Sequence, residues 1–204
     1  MPRRYDLGKR LQQKDDTRRR IVAAAAELYR EQGVSQTSMA QVARRADVAP
    51  GTVRNHFATT DALAQAVADH VLDALRMPQP AVLDGLATVG ERLRVLAHEM
   101  GSFYERSQPW YRIQQLETSP VRAWEEAEAG YYAAFDRLIH EALAPMGPND
   151  GATAVVAAML QPAVFATLRS RGSTAAGAAD LIADVLGVWL ATPLAAPEER
   201  ALRR

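Results

Sequence analysis

Hydrophobic positions in this 204-residue chain recur with the 3.6-residue period of an α-helix from Thr17 to Leu190, and strand-like alternation is nearly absent. Beyond a general enrichment in alanine, the chain contains no internal repeat and no low-complexity tract. The pattern therefore predicts an all-α fold, in which helices are joined by short turns.

The first two helices have recognisable start and stop signals. The first is predicted to begin near Asp16 and Thr17, whose side chains can cap free amides, and Gly33 supplies a left-handed end. Thr37 is a suitable cap for a short second helix that ends near Arg45. The positions predicted to face inwards are Ile21, Ala25, Leu28, Tyr29, Met39, Val42 and Ala43.

A tight turn and a third short helix follow. Asp47 can adopt positive φ, and Pro50 suits the first turn of a helix. Val53 and Phe57 are predicted to face the core, and Thr59 to cap a fourth helix. Two short helices joined by such a turn have the helix-turn-helix layout, whose second helix enters the major groove of DNA. The inward positions of the fourth helix are Leu63, Val67, Val71 and Leu75.

Residues 81–145 predict two long amphipathic helices with a shorter piece between them. Pro109 is predicted to open the shorter piece, and the pair Ser119-Pro120 to start the second long helix. The apolar stripes comprise Leu86, Leu93, Leu96, Met100 and Phe103 in the first helix, then Val121, Trp124, Tyr131, Phe135, Leu138 and Ala142 in the second.

The last two predicted helices, at about 151–171 and 175–191, are apolar on nearly all sides and rich in Ala and Gly. One chain of this size cannot easily cover both, so a four-helix interface between two copies is expected. The charge-free run 151–168 contains polar residues and a proline, and it is interpreted as a buried helix rather than a membrane span.

Composition narrows the possible chemistry. The chain has no cysteine, which excludes disulfides and thiolate metal sites and fits a cytoplasmic protein. Its charged N-terminus lacks the apolar core of a secretory signal. Residues 1–57 carry 12 Lys and Arg against 6 Asp and Glu, a net charge of +6, whereas residues 58–204 carry −6. A basic head on an acidic body indicates a polyanionic partner, although a solvated basic tail would give the same composition.

The stretch from Thr17 to Leu75 resembles the DNA-binding domain of the tetracycline-repressor (TetR) family of bacterial transcriptional regulators. The resemblance is carried by IVAAAAELYREQG, TSMAQVARRADVAPGTVRNHF and TTDAL, at fixed spacing. It implies a three-helix DNA-binding domain at 17–60 and a helical ligand-binding and dimerisation domain at 61–192. These domains would lie between a disordered basic arm at 1–16 and a flexible tail at 193–204.

Three positions depart from the family pattern. Ala49 stands where Ser or Thr is usual, so the third helix lacks a side-chain cap. Arg54 replaces a common Tyr, and its guanidinium can hold a phosphate or reach a guanine. Thr60 replaces a usual Lys. The fold and the mode of binding carry over with the resemblance, and the operator sequence does not.

The resemblance implies roles for individual residues. Ser38, Arg54, His56 and Thr60 are assigned to phosphates, Thr52 and Asn55 to base edges, and Gln41 to a contact from the second helix. Pro50 and Gly51 bring the backbone close to DNA, with the amides near 49–52 as an anion site. Arg18 and Arg19 continue a basic arm, which could lie along a phosphate backbone or a minor groove, and its other members are Arg3, Arg4, Lys9, Arg10 and Lys14.

The second domain is expected to hold an effector. Large aromatic residues between small ones can line a cavity, although the same stripes would also serve as ordinary core. A hydrophobic ligand, at least partly aromatic or fused-ring, is expected, with no cofactor and no metal. Its candidate contacts are Met100, Tyr104, Trp110, Gln114, Trp124, Tyr131 and Phe135.

An enzyme is the rival class. His98-Glu99 and His140-Glu141 begin like a zinc-protease motif, but neither has a second His four residues after the first. The chain lacks a nucleophile elbow, a phosphate loop and a dinucleotide fingerprint. The expected function is a ligand-responsive repressor, not an enzyme, that binds a near-palindromic operator as a homodimer. A helical ligand-binding protein with degraded DNA binding is the alternative.

Overall fold

A computed structural model describes residues 3–116 and 121–192, with side chains for 8–110 and 121–192. Within these ranges the chain is helical and has no strand, which confirms the predicted all-α fold. Short 3₁₀ turns occupy Pro80–Leu83 and Ala144–Met146. The helices are α1 (Arg3–Gln32), α2 (Met39–Arg45), α3 (Pro50–His56), α4 (Thr60–Leu75), α5 (Val89–Leu116), α6 (Arg122–Leu143), α7 (Asp150–Met159), α8 (Pro162–Ser170) and α9 (Ala175–Ala191).

Helices α1 to α4 share a core at the positions that the periodicity predicts. Of the inward positions, only Met39 keeps partial exposure. Gly33 ends α1 with a φ of 85°, and its amide donates to the Tyr29 carbonyl at 2.8 Å. The other predicted core residues are buried: Ile21, Ala25, Leu28, Val42, Ala43, Val53, Phe57, Leu63, Val67, Val71 and Leu75.

The start of α1 differs from the prediction. The helix begins at Arg3 and includes the segment that the sequence predicts as a disordered arm. Thr17 is not a cap, since its hydroxyl donates to the Gln13 carbonyl at 2.8 Å from inside the helix. Asp16 pairs with Arg19 one turn later. No proline interrupts this stretch, and a helix that already has a stable core can extend through charged residues at little cost per residue.

Two further corrections concern helix boundaries. Pro109 does not open a new helix, because α5 continues through it to Leu116. Proline removes one backbone hydrogen bond at a cost of roughly 3 kcal/mol, but continuing the helix preserves the others. The single helix predicted at about 151–171 is divided into α7 and α8. Gln161 precedes Pro162 and is extended (φ −68°, ψ 146°), as the proline ring requires. The predicted start at Ser119-Pro120 lies outside the described residues.

No single helix within 3–116 and 121–192 has the length and apolarity needed to cross a bilayer. Only α7 and α8 taken together reach that length and composition, and they are bent by 44° at their junction.

The described chain forms two compact units. The first contains Met1–Met77 with Arg106–Tyr132, and the second contains Pro78–Glu105 with Ala133–Arg204. Helices α5 and α6 therefore each contribute residues to both units. In the first unit, α4 packs on α1 beside the two short helices.

Candidate DNA-binding surface

Helix α3 is held in place by its two apolar side chains. Val53 has no exposed surface, and Phe57 is 2% exposed. Val42 and Ala43 of α2, which packs against α3, are also fully buried. A helix of seven residues is not stable alone in water. Burial of this inner face therefore fixes α3 and leaves its outer face for contact with another molecule.

The turn between α2 and α3 has the predicted geometry. Asp47 adopts a φ of 52°, the left-handed conformation that Asp tolerates better than most residues. The Val48 amide donates to the Ala43 carbonyl at 3.0 Å, and the Ala46 amide to the Val42 carbonyl at 2.9 Å. These bonds set the angle at which α3 leaves α2.

The outer face of α3 carries the residues predicted to bind DNA. Arg54 and Asn55 are exposed, as are Pro50 and Gly51, and Thr52 is half-buried. A β-carbon at Gly51 would meet no atom of the described chain within 4 Å, so the protein's own packing does not require glycine there. The open side is the one that an approaching DNA backbone would use.

The anion site predicted at the start of α3 is smaller than expected. Ala49 provides no side-chain cap, as the sequence predicts. Pro50 has no N–H, and the Thr52 amide donates to the Ala49 carbonyl at 2.8 Å. Few backbone amides are therefore left to bind a phosphate, so side-chain donors would have to supply most of its hydrogen bonds.

Ser38 and Gln41 bind each other in a capping box. Ser38, not Thr37, is the N-cap of α2: the Gln41 amide donates to its Oγ at 3.3 Å, and Gln41 Oε1 accepts from the Ser38 amide at 2.7 Å. Thr37 is buried, and its hydroxyl donates to the Gly33 carbonyl at 2.7 Å. The Ser-x-x-Gln spacing is a known signature that could have revealed this arrangement. Both side chains can contact DNA only from this fixed geometry.

Arg18 of α1 lies against the end of α3. Its guanidinium carbon is 4.3 Å from the centre of the Phe57 ring, and Nη1 donates to the His56 carbonyl at 3.5 Å. Cations over aromatic rings are attracted by the ring quadrupole. Arg18, predicted as part of a mobile arm, instead contacts the last turn of α3. Sequence periodicity gives no signal for such a contact across 38 residues.

His56 is half-buried beside this contact. Burial lowers the pKa of its imidazole, and the positive charges of Lys14 and Arg18 lower it further, while Asp15 opposes them. With a pKa below the usual 6.5, the ring is predominantly neutral at pH 7. A phosphate beside the ring would oppose this shift, because its negative charge favours the protonated imidazole.

The start of α4 matches the prediction. Thr59 is the N-cap, and its Oγ accepts from the Ala62 amide at 3.1 Å. Thr60, the first residue of the helix, is exposed. The phosphate contact that the resemblance implies for Thr60 stays a prediction, and its side chain is shorter than the usual lysine.

Arg45 has a structural role at the back of this surface. Nη1 lies 3.0 Å from Glu27 Oε2, and Nη2 lies 2.8 Å from Glu31 Oε2. Arg45 holds the pKa of the Glu31 carboxyl below its usual value, chiefly by hydrogen bonding. The pair links α2 to α1 and leaves Arg45 engaged away from the outer face of α3.

The structure divides the predicted ligand residues between the two units. Met100, Tyr104 and Phe135 are buried in the second unit, where the Tyr104 hydroxyl donates to the Leu160 carbonyl at 2.8 Å. The three in the first unit, Trp110, Trp124 and Tyr131, are half-buried. The side chain of Gln114 lies outside the described residues.

Trp124 has a feature that sequence cannot show. Its indole Nε1 is buried, and it has no hydrogen-bond partner among the described residues. Elsewhere in the first unit, the Arg30 guanidinium lies 5.8 Å from the Trp110 ring centre.

A cavity of about 230 Å³ in the second unit is lined by none of the predicted ligand residues. It lies beside Leu143, Pro148 and Asn149. No cluster of three or more metal-ligating side chains occurs in the described ranges.

A short helix with a buried inner face follows a fixed turn and exposes Arg54 and Asn55, which is the helix-turn-helix layout. A family model described as bacterial regulatory proteins of the tetR family matches residues 21–67. This stretch is therefore similar to the DNA-binding domain of the TetR family, in agreement with the resemblance found in the sequence.

Two curated relatives are also described as HTH-type transcriptional regulators. The chain is 33% identical over 79 residues to the HTH-type transcriptional regulator HbdR of Aromatoleum sp. (strain CIB), a match that covers 39% of this chain and 34% of that protein. The chain spans between about a third and a half of the length of the curated relatives it matches, namely 34% and 49%.

Solved structures extend the similarity of fold beyond the first domain. The regulator FadR of Bacillus subtilis, in complex with stearoyl-CoA, has a TM-score of 0.58 at 18% identity, over 82% of this chain and 96% of that one. AibR, in complex with isovaleryl coenzyme A and operator DNA, has a TM-score of 0.54 at 19% identity, over 84% and 97%. An N-terminal helix-turn-helix domain followed by a helical domain is common to this fold.

Proposed function

We propose that this protein is a ligand-responsive transcriptional repressor, acting without catalysis in the cytoplasm. It binds a near-palindromic DNA operator as a homodimer, and a small hydrophobic effector releases it. In this proposal, residues 17–60 recognise DNA and residues 61–192 hold the effector and the dimer interface.

The observation that carries the proposal is the outer face of α3. Arg54 and Asn55 are exposed on a helix whose opposite side, Val53 and Phe57, is buried. Arginine is well suited to bind a phosphate or a guanine, and asparagine is well suited to bind an adenine. Phosphate contacts would position the helix, and base contacts would specify the sequence.

An exposed apolar stripe on α9 supports dimerisation. Leu181, Val185 and Val188 are 46%, 47% and 70% exposed. Their spacing of four and three residues places them on one face of the helix. The opposite face, with Ile182 and Leu186, is buried. A two-fold partner would cover the stripe, and a dimer can read two half-sites about one DNA turn, ~34 Å, apart.

A hydrophobic acyl group is the first effector class to test. FadR and AibR, which share the fold, are described with stearoyl-CoA and isovaleryl coenzyme A. In the first unit, the half-buried Trp110, Trp124 and Tyr131 offer aromatic surface, and the buried indole N–H of Trp124 has no acceptor among the described residues. Met100, Tyr104, Gln114 and Phe135 remain predicted contacts.

Arg106 offers a route from the effector to DNA. Its Nε donates to the Leu75 carbonyl at 3.1 Å, and Nη2 donates to the Arg76 carbonyl at 3.3 Å, at the C-terminal end of α4. Arg106 belongs to α5, four residues before Trp110. An effector that moves this part of α5 would shift α4 and change the spacing of the two α3 helices. A coupling of a few kcal/mol would release the operator.

Selection of bound duplexes from a random DNA pool tests the proposal directly. We expect an enriched near-palindromic sequence, and weaker retention when acyl-CoA or aromatic ligands are added. If no duplex is enriched at moderate ionic strength, the proposal that this protein binds DNA is wrong.

The alternative is a helical ligand-binding protein with degraded DNA contacts. Ligand binding without selection of any duplex would favour it. Two observations favour this alternative: Ala49 gives α3 no side-chain cap, and Thr60 has a short, uncharged side chain.

Replacing Arg54 with alanine is expected to weaken binding to all duplexes by roughly 10- to 100-fold, because a phosphate contact is lost in each protomer. The slope of log affinity against log salt should decrease by about 0.9 per lost contact, or roughly 1.8 for the dimer. Fluorescence anisotropy across a salt series measures both quantities. Arg44→Ala, which removes an equal charge from the exposed end of α2, is the control. Equal slopes for the two variants would contradict the role of Arg54.

Replacing Asn55 with alanine is expected to change selectivity. A lost bidentate contact to an adenine reduces discrimination at that position by about 1–3 kcal/mol. Binding to operators mutated one base pair at a time should therefore become insensitive at particular symmetric positions. The same panel measured with Arg54→Ala should retain the wild-type pattern. A uniform loss across the panel with Asn55→Ala would show that Asn55 does not read a base.

A further inference from the structure

The upstream part of α1 is a basic helix that the core does not explain. Residues 8–20 are exposed, apart from the half-buried Thr17, and the first buried core residue is Ile21. This stretch contains six Lys or Arg and two Asp, a net charge of +4. A helix that projects beyond its own core with this charge needs another reason for its composition.

The contact of Arg18 with α3 fixes which side of this helix lies next to the DNA-binding surface. Arg18 packs on Phe57 and donates to His56, both at the end of α3. At 100° per residue, Lys14 lies about 40° and Arg10 about 80° from Arg18 around the helix. These three residues, Arg10, Lys14 and Arg18, form a basic stripe. The effect of Lys14 on His56 places its charge near the same end of α3.

We propose that the basic stripe of α1 binds the phosphate backbone of the DNA that flanks the segment contacted by α3. The stripe is continuous with the end of α3 through Arg18, and it has the charge that a polyanion requires. Arg10 and Arg18 are about 12 Å apart along the helix, at 1.5 Å per residue. Phosphates along one strand of duplex DNA are spaced by ~3.4 Å of helix axis, so a span of this length can reach several of them.

An anionic membrane is the other polyanion that a basic helix can bind. Membrane-surface helices need a broad apolar face, usually with several large side chains. Leu11, 57% exposed, is the one large apolar side chain within 8–20. Within 8–20 the acidic residues are Asp15 and Asp16, and Asp16 is paired with Arg19, so this stretch keeps a net positive charge. The composition therefore favours DNA.

The test compares two double variants that remove the same charge from different faces of α1. Arg10→Gln with Lys14→Gln removes two members of the stripe. Lys9→Gln with Arg20→Gln removes charges that lie about 160–180° from Arg18 around the helix, and about 80–140° from Arg10 and Lys14. All four side chains are exposed and glutamine is a good helix former, so circular dichroism should be unchanged. The proposal rests on the proposed function, so the probe is the duplex that the wild-type protein selects.

For the stripe variant, we expect the salt slope to decrease by about 3 to 4, for four lost contacts per dimer, and affinity to fall by one to two orders of magnitude. Its hydroxyl-radical footprint should shorten at both ends, while base preference at the centre is unchanged. The Lys9→Gln, Arg20→Gln variant should keep the wild-type footprint. Trimming the flanking base pairs should weaken the wild type to the level of the stripe variant.

Three outcomes would overturn the proposal. If both double variants change the slope equally, the effect is net charge and not a defined contact. If the operator is bound normally by the stripe variant, α1 does not contact the flanks, although α3 still reads DNA. If vesicles of anionic phospholipid bind the wild type but not the stripe variant, and the DNA footprint of the stripe variant equals that of the wild type, the partner is a membrane. Absence of any selected duplex would instead refute the proposed function itself.

Discussion

Replacing Phe57 with alanine is expected to destabilise the DNA-binding domain by about 3–5 kcal/mol, the usual cost of truncating a buried phenylalanine. Phe57 is 2% exposed and closes the core at the end of α3. The substitution leaves a cavity there and also removes the ring on which the Arg18 guanidinium rests at 4.3 Å. Since α3 is too short to persist without its buried face, it should unfold locally first.

Urea denaturation followed by circular dichroism measures the loss, and amide hydrogen exchange locates it. Exchange should accelerate in α2 and α3 by more than 100-fold, which corresponds to the lower end of the expected loss. Leu72→Ala, at a 40% exposed position of α4, is the control and should cost about 1 kcal/mol or less. If Phe57→Ala has an effect as small as this control, then Phe57 does not hold α3.

Replacing both Val185 and Val188 with glutamate is expected to convert the proposed dimer into a monomer. An isologous interface contains each substitution twice, so four carboxylates would be buried near the two-fold axis. Loss of four apolar contacts and the burial of unpaired charge should together cost at least about 4 kcal/mol, or a thousandfold in the dimer dissociation constant.

Sedimentation velocity measures the assembly, and operator binding measures the consequence. A lone DNA-binding domain loses the gain from simultaneous binding of two half-sites, typically 10²–10⁴-fold. Leu72→Glu, which adds a carboxylate at another exposed leucine, should remain dimeric. If the Val185→Glu, Val188→Glu variant stays a dimer with unchanged affinity, the stripe on α9 is not the interface.

Much of the DNA-binding domain could be predicted because its signals are local. The left-handed positions at Gly33 and Asp47, the proline at position 50 and the cap at Thr59 each act within one turn of backbone. The apolar period then selects the buried faces, and the structure confirms them. The same local reasoning failed at the start of α2, where Thr37 was the predicted cap and Ser38 is the observed one. Both residue types are suitable caps, and only the burial of Thr37 distinguishes them.

The predicted effector site was harder to judge from the sequence. Aromatic stripes at helical spacing describe a core and a ligand cavity equally well. Met100, Tyr104 and Phe135 are buried in one unit, whereas Trp110, Trp124 and Tyr131 are half-buried in the other. Which of them contact an effector remains a prediction. The indole N–H of Trp124 is buried without an acceptor in the described part of the chain, and this depends on every atom around it, so no sequence pattern can reveal it.

The sequence by itself determined the helical fold, the helix-turn-helix layout and the residues on the outer face of α3, because each depends on periodicity and on single-residue backbone preferences. Only the tertiary structure decided that α1 continues back to Arg3, that Arg18 packs on Phe57, and that the apolar stripe of α9 faces outwards. These features depend on how surfaces distant in the sequence meet. Such contacts carry no local period, and their free energy exists only once the chain has folded.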